Sequence, residues 1–190
     1  MDKAIYNFWS KNSLTNIKPA RGGEFPEGWD VIDFFKNLYS EEEYGSILDI
    51  GCGYGRLCNA FNAKNYCGLD ISSHAIEKAQ KVHPEYKFSL LDYSINLPPS
   101  DTKLVYTVLL HQTDEDIDTI VKTLCNTTRR IIVAEICGRD WRRSGNPPVF
   151  NRNKQEYIEL FNAYGKNIEK QYSKPYKAYK GTNIDILVFI

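Results

Sequence analysis

The sequence has few of the features that mark secreted, metal-binding or membrane proteins. Its five cysteines are an odd number without a C-x-x-C pair, which argues against metal knuckles and a disulfide framework. The N-terminus lacks a basic segment followed by an apolar one, and no apolar run approaches the length of a membrane span. We therefore expect a soluble cytoplasmic protein with reduced thiols and no contact with a membrane.

A net charge is also missing. The 24 lysines and arginines balance 24 aspartates and glutamates, so no overall field attracts polyanions and a nucleic-acid partner is disfavoured. Low-complexity tails and internal repeats are absent. The 190 residues suit a single domain over 1–190, which is large enough to bury about 70 % of its unfolded surface.

A glycine-rich segment organises the chain. Residues 47–50 form a short apolar run typical of a buried strand, and three glycines follow at alternate positions: Gly51, Gly53 and Gly55. Apolar residues at helical spacing come next, namely Leu57, Ala60 and Phe61. The pattern predicts a strand, a tight turn and the N-terminus of a helix, where main-chain N–H groups meet a ligand closely.

The details of this turn narrow the choice of ligand. A dinucleotide fingerprint needs its third glycine where this chain has Arg56, and no Lys-Ser or Lys-Thr pair of a P-loop follows. Asp49 lies at the end of the strand instead, and a carboxylate there suits an ammonium group better than a pyrophosphate. A glycine turn with a packing role alone is the alternative interpretation.

Apolar strands and amphipathic helices alternate along the rest of the chain. Helices are expected over 31–38, over 73–82, from a cap at Thr113 through an acidic first turn at 114–116 to a close at Arg129-Arg130, and over 157–164. Strands are expected over 65–70, 86–91, 104–110, 131–136, 168–172 and 184–190. This alternation implies a parallel sheet with right-handed crossovers, whose ligand site lies at the carboxyl ends of the strands.

Polar side chains converge at those strand ends. They are Asp49, Asp70, Asp92, His111 and Glu135. Asp70 lies 19 residues beyond Gly51, close to the spacing at which an acid meets ribose hydroxyls in nucleotide-binding βαβ units. A carboxylate accepts hydrogen bonds from two neighbouring hydroxyls at once.

The chain resembles the class I S-adenosylmethionine-dependent methyltransferases over roughly residues 30–137 and the final strand pair. The resemblance is carried by the acidic strand end, the G-x-G-x-G turn and the order of the elements that follow. The resemblance implies an α/β fold: a single doubly wound Rossmann-like domain with a mostly parallel seven-stranded sheet and an antiparallel C-terminal strand. It implies S-adenosylmethionine as cofactor and S-adenosylhomocysteine as product. The implied cofactor-binding residues are Asp49, Gly51, Cys52, Gly53, Gly55, Asp70, Ile71, Asp92, Tyr93 and Val108.

Two departures from the family pattern are visible. Residues 101–103 read Asp-Thr-Lys where a Phe-Asp pair often opens the fourth strand. Residues 146–149 read Asn-Pro-Pro-Val, follow the fifth strand and lack the final aromatic of the motif used on flipped bases. Methylation of DNA amino groups is therefore disfavoured.

His111 and Glu135 are the candidate catalytic residues. An imidazole with an ordinary pKa of about 6.5 accepts a proton near neutrality, so His111 is a candidate general base. Equally, it lines the cofactor pocket without a catalytic role. Glu135 contacts the acceptor in one interpretation and caps the end of its strand in the other.

The segment 138–152 is rich in arginine. We expect an insertion near the acceptor site in which Arg139, Trp141, Arg142, Arg143 and Arg152 bind a phosphate or carboxylate, which arginine grips in a bidentate manner. A solvated loop with arginines paired to Asp140 is the alternative. The leader over 1–29 is interpreted as a lid, or equally as a surface segment pinned by Trp9.

These observations favour a methyltransferase acting on a small, anionic metabolite, at oxygen. Methylation of RNA or protein is an alternative, which requires the arginine segment and the Lys/Tyr residues at 172–180 to form one basic face. A non-catalytic regulator that binds S-adenosylmethionine or S-adenosylhomocysteine is a third possibility. The sequence leaves the acceptor and the oligomeric state open.

Overall fold

A computed structural model of the protein describes residues 2–11, 29–92, 97–138, 148–176 and 182–190. The helices are α1 (Lys3–Lys11), α2 (Val31–Leu38), α3 (Glu41–Tyr44), α4 (Ser73–Val82), α5 (Ile117–Cys125) and α6 (Lys154–Asn162). The strands are β1 (Ile47–Ile50), β2 (Tyr66–Asp70), β3 (Lys87–Leu90), β4 (Ser100–Tyr106), β5 (Thr128–Cys137), β6 (Ile168–Pro175) and β7 (Asn183–Phe189).

The strands form one seven-stranded sheet in the order β3-β2-β1-β4-β5-β7-β6. The pairs among β1 to β5 are parallel, whereas β7 runs antiparallel to β5 and β6 antiparallel to β7. The doubly wound α/β prediction is confirmed. The strand order reverses between β1 and β4, and a crevice at the carboxyl ends of such neighbours is where open α/β sheets bind ligands.

Helices cover both faces of this sheet. Buried side chains of α2, α3 and α4 pack on one face, and those of α5 and α6 pack on the other. The helix boundaries follow local signals: Asp30 accepts hydrogen bonds from the N–H groups of Ile32 and Asp33 at 2.7 and 3.0 Å. Ser72 likewise caps α4. No helix in the described parts of the chain is long and apolar enough to cross a bilayer.

The prediction of an α-helix directly after the glycine turn is wrong. Cys58–Ala60 form one 3₁₀ turn, and Phe61 is extended, with φ of −126° and ψ of 161°. Asn62 then accepts a hydrogen bond from Lys64 N–H at 3.2 Å and starts a second 3₁₀ turn that leads into β2. A side chain that bonds the neighbouring main chain competes with helix formation, which accounts for the difference.

The end of β4 also differs from the sequence pattern. Apolar residues continue to 110, but the strand ends at Tyr106 because Thr107 has a φ of 54° and turns the chain. A 3₁₀ turn over Leu109–His111 follows. His111 therefore lies in a turn beyond the strand. Leu109 and Leu110 of this segment are buried beside the carboxyl edge of the sheet.

A buried cation lies at the opposite end of β5. The guanidinium of Arg130 forms a bidentate ion pair with Glu169, with N–O distances of 2.9 to 3.1 Å. It also lies 4.6 Å from the ring centroid of Tyr44. This cluster ties β5 to β6 and α3, far along the strand from Glu135.

We expect Gly68→Ala to destabilise the sheet. An added Cβ would lie 2.7 Å from Phe88 Cδ1 and 2.8 Å from Cys52 Sγ, so neighbouring atoms must move. Overpacking of this kind costs about 1–3 kcal/mol, which urea unfolding measures. The control is Gly165→Ala, where an added Cβ has open space and costs about 1 kcal/mol through its φ of +75°. If Gly68→Ala unfolds at the same urea concentration as the wild-type protein, this packing is contradicted.

Candidate functional site

The glycine turn begins where β1 ends and lies against the segment that follows β4. Gly51 has a φ of 76°, and a Cβ on it would lie 2.5 Å from Val108 Cγ2. The N–H groups of Gly51 and Cys52 both donate to the Leu69 carbonyl, at 2.7 and 3.0 Å. Glycine is therefore required at 51, because both the conformation and the approach of Val108 exclude a side chain.

Asp70 joins the end of β2 to the glycine turn. Its Oδ2 accepts a hydrogen bond from Gly53 N–H at 2.8 Å, and its Oδ1 accepts one from Ser72 N–H at 2.9 Å. Burial raises the pKa of this half-buried carboxyl. Each carboxylate oxygen has two acceptor sites, so both oxygens retain capacity for the hydroxyls of a ribose. The geometry is consistent with the predicted role.

Asp49 lies beneath the turn. Its carboxylate is 2 % exposed, and Tyr66 O–H donates to Oδ2 at 2.6 Å. Burial raises the pKa of Asp49 to about 6, against the lowering effects of the Tyr66 hydrogen bond and the Arg56 charge. This burial favours a role in supporting the turn and setting its charge over direct contact with an ammonium group.

The other predicted cofactor residues differ in their exposure. Asp92 is exposed after β3, and the Leu91 N–H bond to the Asp70 carbonyl, at 2.8 Å, holds this end of β3 beside β2. Ile71 is half-buried in an apolar cluster. Cys52 is fully buried and its sulfur faces Gly68, so its thiol does not line the site.

Two predicted cofactor residues remain. Gly55 is buried, and a Cβ on it would lie 3.0 Å from Phe88 Cζ, which indicates a packing role. Tyr93 lies outside the described residues.

Arg56 contributes to the site although the sequence pattern assigned it no role. Its guanidinium donates to the carbonyls of Gly51 and Tyr106 at 3.2 and 2.8 Å, and to Thr107 Oγ1 at 3.0 Å. The cation joins the ends of β1 and β4 and lowers the pKa of the neighbouring carboxyls at 49, 70 and 135. Two of its three partners, Tyr106 and Thr107, lie about fifty residues away, so no local signal predicts the link to β4.

Glu135 does not contact an acceptor, which corrects one of the two interpretations. The side chain is fully buried, and its carboxylate accepts hydrogen bonds from three consecutive N–H groups: Val108 at 2.8 Å, Leu109 at 2.7 Å and Leu110 at 3.3 Å. Burial raises the pKa of Glu135 to about 7, although these hydrogen bonds oppose the shift. Glu135 therefore holds the turn after β4.

Arg152 is not available to bind a substrate anion, which corrects a second expectation. It is 3 % exposed. Its guanidinium donates to Asp114 Oδ1 at 2.6 Å and to the carbonyl oxygens of Leu109, Phe150, Gln112 and Thr113, at 3.1 to 3.3 Å. The other predicted acceptor residues, Arg139, Trp141, Arg142 and Arg143, lie outside the described residues.

His111 lies between α1 and the segment that begins at Pro148. Its Nδ1 is 3.0 Å from the Pro148 carbonyl oxygen. Because a carbonyl oxygen accepts hydrogen bonds and cannot donate them, this contact places a proton on Nδ1. The rings of His111 and Trp9 are 4.7 Å apart between centroids, at 56°.

Helix α1 is fixed over this histidine. Asp2 N–H donates to Asp116 Oδ2 at 2.5 Å, and Ile5 is buried. The described part of the leader therefore covers His111, which is compatible with both the lid and the pinned-segment interpretations. The remainder of 1–29 lies outside the described residues, apart from Trp29.

We expect Asp49→Asn to remove a pH dependence of stability. The pKa of Asp49 is about 6 in the folded state and 3.8 ordinarily, so between these values the folded state binds more protons. The contribution of Asp49 to the free energy of unfolding then falls by about 2 kcal/mol as the pH rises from 4 to 6. Urea unfolding across this range measures the slope, which the exposed control Asp33→Asn retains. If the free energy of unfolding changes with pH equally in wild type and in Asp49→Asn, the raised pKa of Asp49 is contradicted.

Comparisons with known proteins agree with this architecture. Residues 47–130 match a family model described as a methyltransferase domain. No curated protein sequence matches the chain significantly. Among solved structures, magnesium protoporphyrin IX methyltransferase from Synechocystis PCC 6803 with bound S-adenosylhomocysteine is similar at a TM-score of 0.67. It is 16 % identical and covers 83 % of this chain and 81 % of that one.

Two further structures share the fold. A TehB-like S-adenosylmethionine-dependent methyltransferase from Corynebacterium glutamicum has a TM-score of 0.63 and 18 % identity, covering 85 % of this chain and 89 % of that one. The cyclase SpnF has a TM-score of 0.64 and 14 % identity, with 83 % and 79 % covered. These identities are low, so the likeness establishes the fold. A methyltransferase-domain model aligns with the strands that build the glycine turn, and solved methyltransferases share the fold, so this chain contains a methyltransferase-domain match within a class I, Rossmann-like methyltransferase fold.

Proposed function

We propose that this protein transfers a methyl group from S-adenosylmethionine to the oxygen of a small, anionic acceptor bound beside His111. The observation that carries the proposal is the link between Asp70 and the Gly53 N–H group at the carboxyl ends of neighbouring strands. This link joins a carboxylate with residual acceptor capacity to a glycine turn.

The residues present fit the cofactor. Asp70 would accept from the ribose hydroxyls, the turn from Gly51 to Gly53 would enclose the methionine portion, and exposed Asp92 would accept from the adenine amino group. When bound, S-adenosylmethionine supplies a methyl group on a positively charged sulfur. Magnesium protoporphyrin IX methyltransferase with bound S-adenosylhomocysteine shares this fold, which supports the choice of cofactor.

His111 is the proposed general base. The bond from Nδ1 to the Pro148 carbonyl orients the ring, and Nε2 is the nitrogen that we propose takes the proton of an acceptor hydroxyl. Trp9 covers one side of the ring, and the exclusion of water there favours transfer to the bound acceptor over hydrolysis. Glu135 and Arg152 take no proton in this scheme.

The anionic acceptor is inferred from the arginine segment. Both of its flanks are attached beside His111: Gly138 N–H donates to the Arg152 carbonyl at 3.2 Å, and the Pro148 carbonyl accepts from His111. Between these attachments the sequence carries Arg139, Arg142 and Arg143. Guanidinium groups bind phosphate and carboxylate in a bidentate manner, so the charge of this segment supports an acceptor that carries one of those groups.

We expect Asp70→Asn to weaken the binding of S-adenosylhomocysteine at least about tenfold. The amide keeps the shape but loses the negative charge, and a hydrogen bond to a charged group contributes about 1.5–3 kcal/mol. Isothermal titration calorimetry measures this change. Asp33→Asn, an exposed substitution on α2, is the matched control and binds as wild type does. No binding heat with folded wild-type protein rejects the cofactor assignment.

A transfer assay tests the acceptor class. We expect wild-type protein to move labelled methyl from S-adenosylmethionine into a cell-extract fraction that is retained on anion exchange and altered by phosphatase. The triple variant Arg139→Ala, Arg142→Ala, Arg143→Ala labels this fraction at least about tenfold less, because charge-assisted contacts are lost. His111→Ala labels it about a hundredfold less, since a general base contributes that much or more.

The other outcomes of this assay contradict the proposal in different ways. Label in RNA or protein alone replaces the small acceptor with a macromolecule. Label in an uncharged small molecule removes the role of the arginines. No label anywhere, together with normal binding of S-adenosylhomocysteine, supports a regulator that binds the cofactor without turnover.

A further inference from the structure

The turn over residues 108–113, which carries His111, has its main-chain polar groups bonded by two buried charged side chains. Glu135 accepts from three of its N–H groups. Arg152 donates to three of its carbonyl oxygens, those of Leu109 at 3.3 Å and of Gln112 and Thr113 at 3.1 Å. A short 3₁₀ turn satisfies few of its own polar groups, so buried partners of both signs are what fix its position.

Arg152 also connects this turn to a second segment. Its guanidinium donates to the Phe150 carbonyl at 3.1 Å, and Phe150 N–H donates to the Leu110 carbonyl at 2.7 Å. These bonds dock residues 148–152 against the turn. The Pro148 carbonyl consequently reaches His111 Nδ1.

We propose that Glu135 and Arg152 are positioning residues that together hold His111 as the Nδ1–H tautomer, with Nε2 as its proton acceptor. Glu135 fixes where the histidine turn lies, and Arg152 fixes the segment whose carbonyl accepts from Nδ1. The catalytic meaning of this arrangement rests on the proposed function. The tautomer itself is measurable without an acceptor or a cofactor.

Nuclear magnetic resonance of protein labelled with ¹⁵N-histidine tests the proposal above the pKa of histidine. The chain contains three histidines, so His74 and His83, on and just after α4, serve as internal references. We expect wild-type His111 to favour the Nδ1–H tautomer by about tenfold, as expected for one well-made hydrogen bond of about 1.4 kcal/mol. Arg152→Lys loses this preference, because an ammonium group cannot reproduce the fixed fork of guanidinium donors.

Two further variants separate positioning from general loss of structure. Arg130→Lys removes a comparably buried, ion-paired guanidinium at the far end of β5 and leaves the His111 signals unchanged. Glu135→Gln keeps one accepting oxygen and gives an intermediate tautomer ratio. It also provides the test if Arg152→Lys does not fold, which circular dichroism and urea unfolding show.

The tautomer measurement can fail independently of the binding and transfer assays that test the proposed function. A wild-type His111 with its proton on Nε2 overturns the proposal. So does a folded Arg152→Lys or Glu135→Gln variant in which the His111 tautomer ratio equals that of wild type. An absence of methyl transfer or of S-adenosylhomocysteine binding leaves the tautomer measurement intact and rejects only the proposed function.

Discussion

Hydrogen bonds from main-chain N–H groups to buried carboxylates shape the carboxyl edge of this sheet. Parallel strands end there in tight turns, and some N–H groups of these turns have no carbonyl of the sheet within reach. An unpaired buried N–H group costs about as much as a lost hydrogen bond. Asp70 accepts from the glycine turn after β1, and Glu135 accepts from the turn after β4. In each case a side chain on one strand fixes the loop that follows a neighbouring strand.

This arrangement concentrates negative charge where water is excluded. Burial raises the pKa of Asp49, Asp70 and Glu135, because a carboxylate loses hydration free energy inside the protein. Arg56 opposes all three shifts and also bonds the main chain of both turns. The edge is therefore acidic beneath the glycine turn, as suits a cofactor that carries an ammonium and a sulfonium group.

The sequence predicts those elements that are specified by neighbouring residues, such as helix caps and strand ends. Asp30 and Ser72 cap the helices that begin beside them, and Asp70 lies at the end of the strand assigned to it. The 3₁₀ turn after the glycines and the left-handed Thr107 were missed, because both depend on how the chain must reach its next strand. The acceptor-contact interpretation of Glu135 and the anion-binding interpretation of Arg152 are wrong, because most partners of these side chains lie about 25 to 43 residues away.

The contrast between local signals and long-range contacts also separates the cofactor half of the proposed site from its acceptor half. The cofactor half uses one strand end at a time, so the order of residues along the chain is enough to reveal it. The proposed acceptor half needs α1, the turn of His111 and the segment from Pro148 to meet, and this meeting depends on the whole tertiary structure. Fold neighbours include both methyltransferases and the cyclase SpnF, so the shared sheet leaves the reaction open. On the proposed function, the second half specifies the chemistry, since we infer that buried Glu135 and Arg152 determine how the histidine is presented.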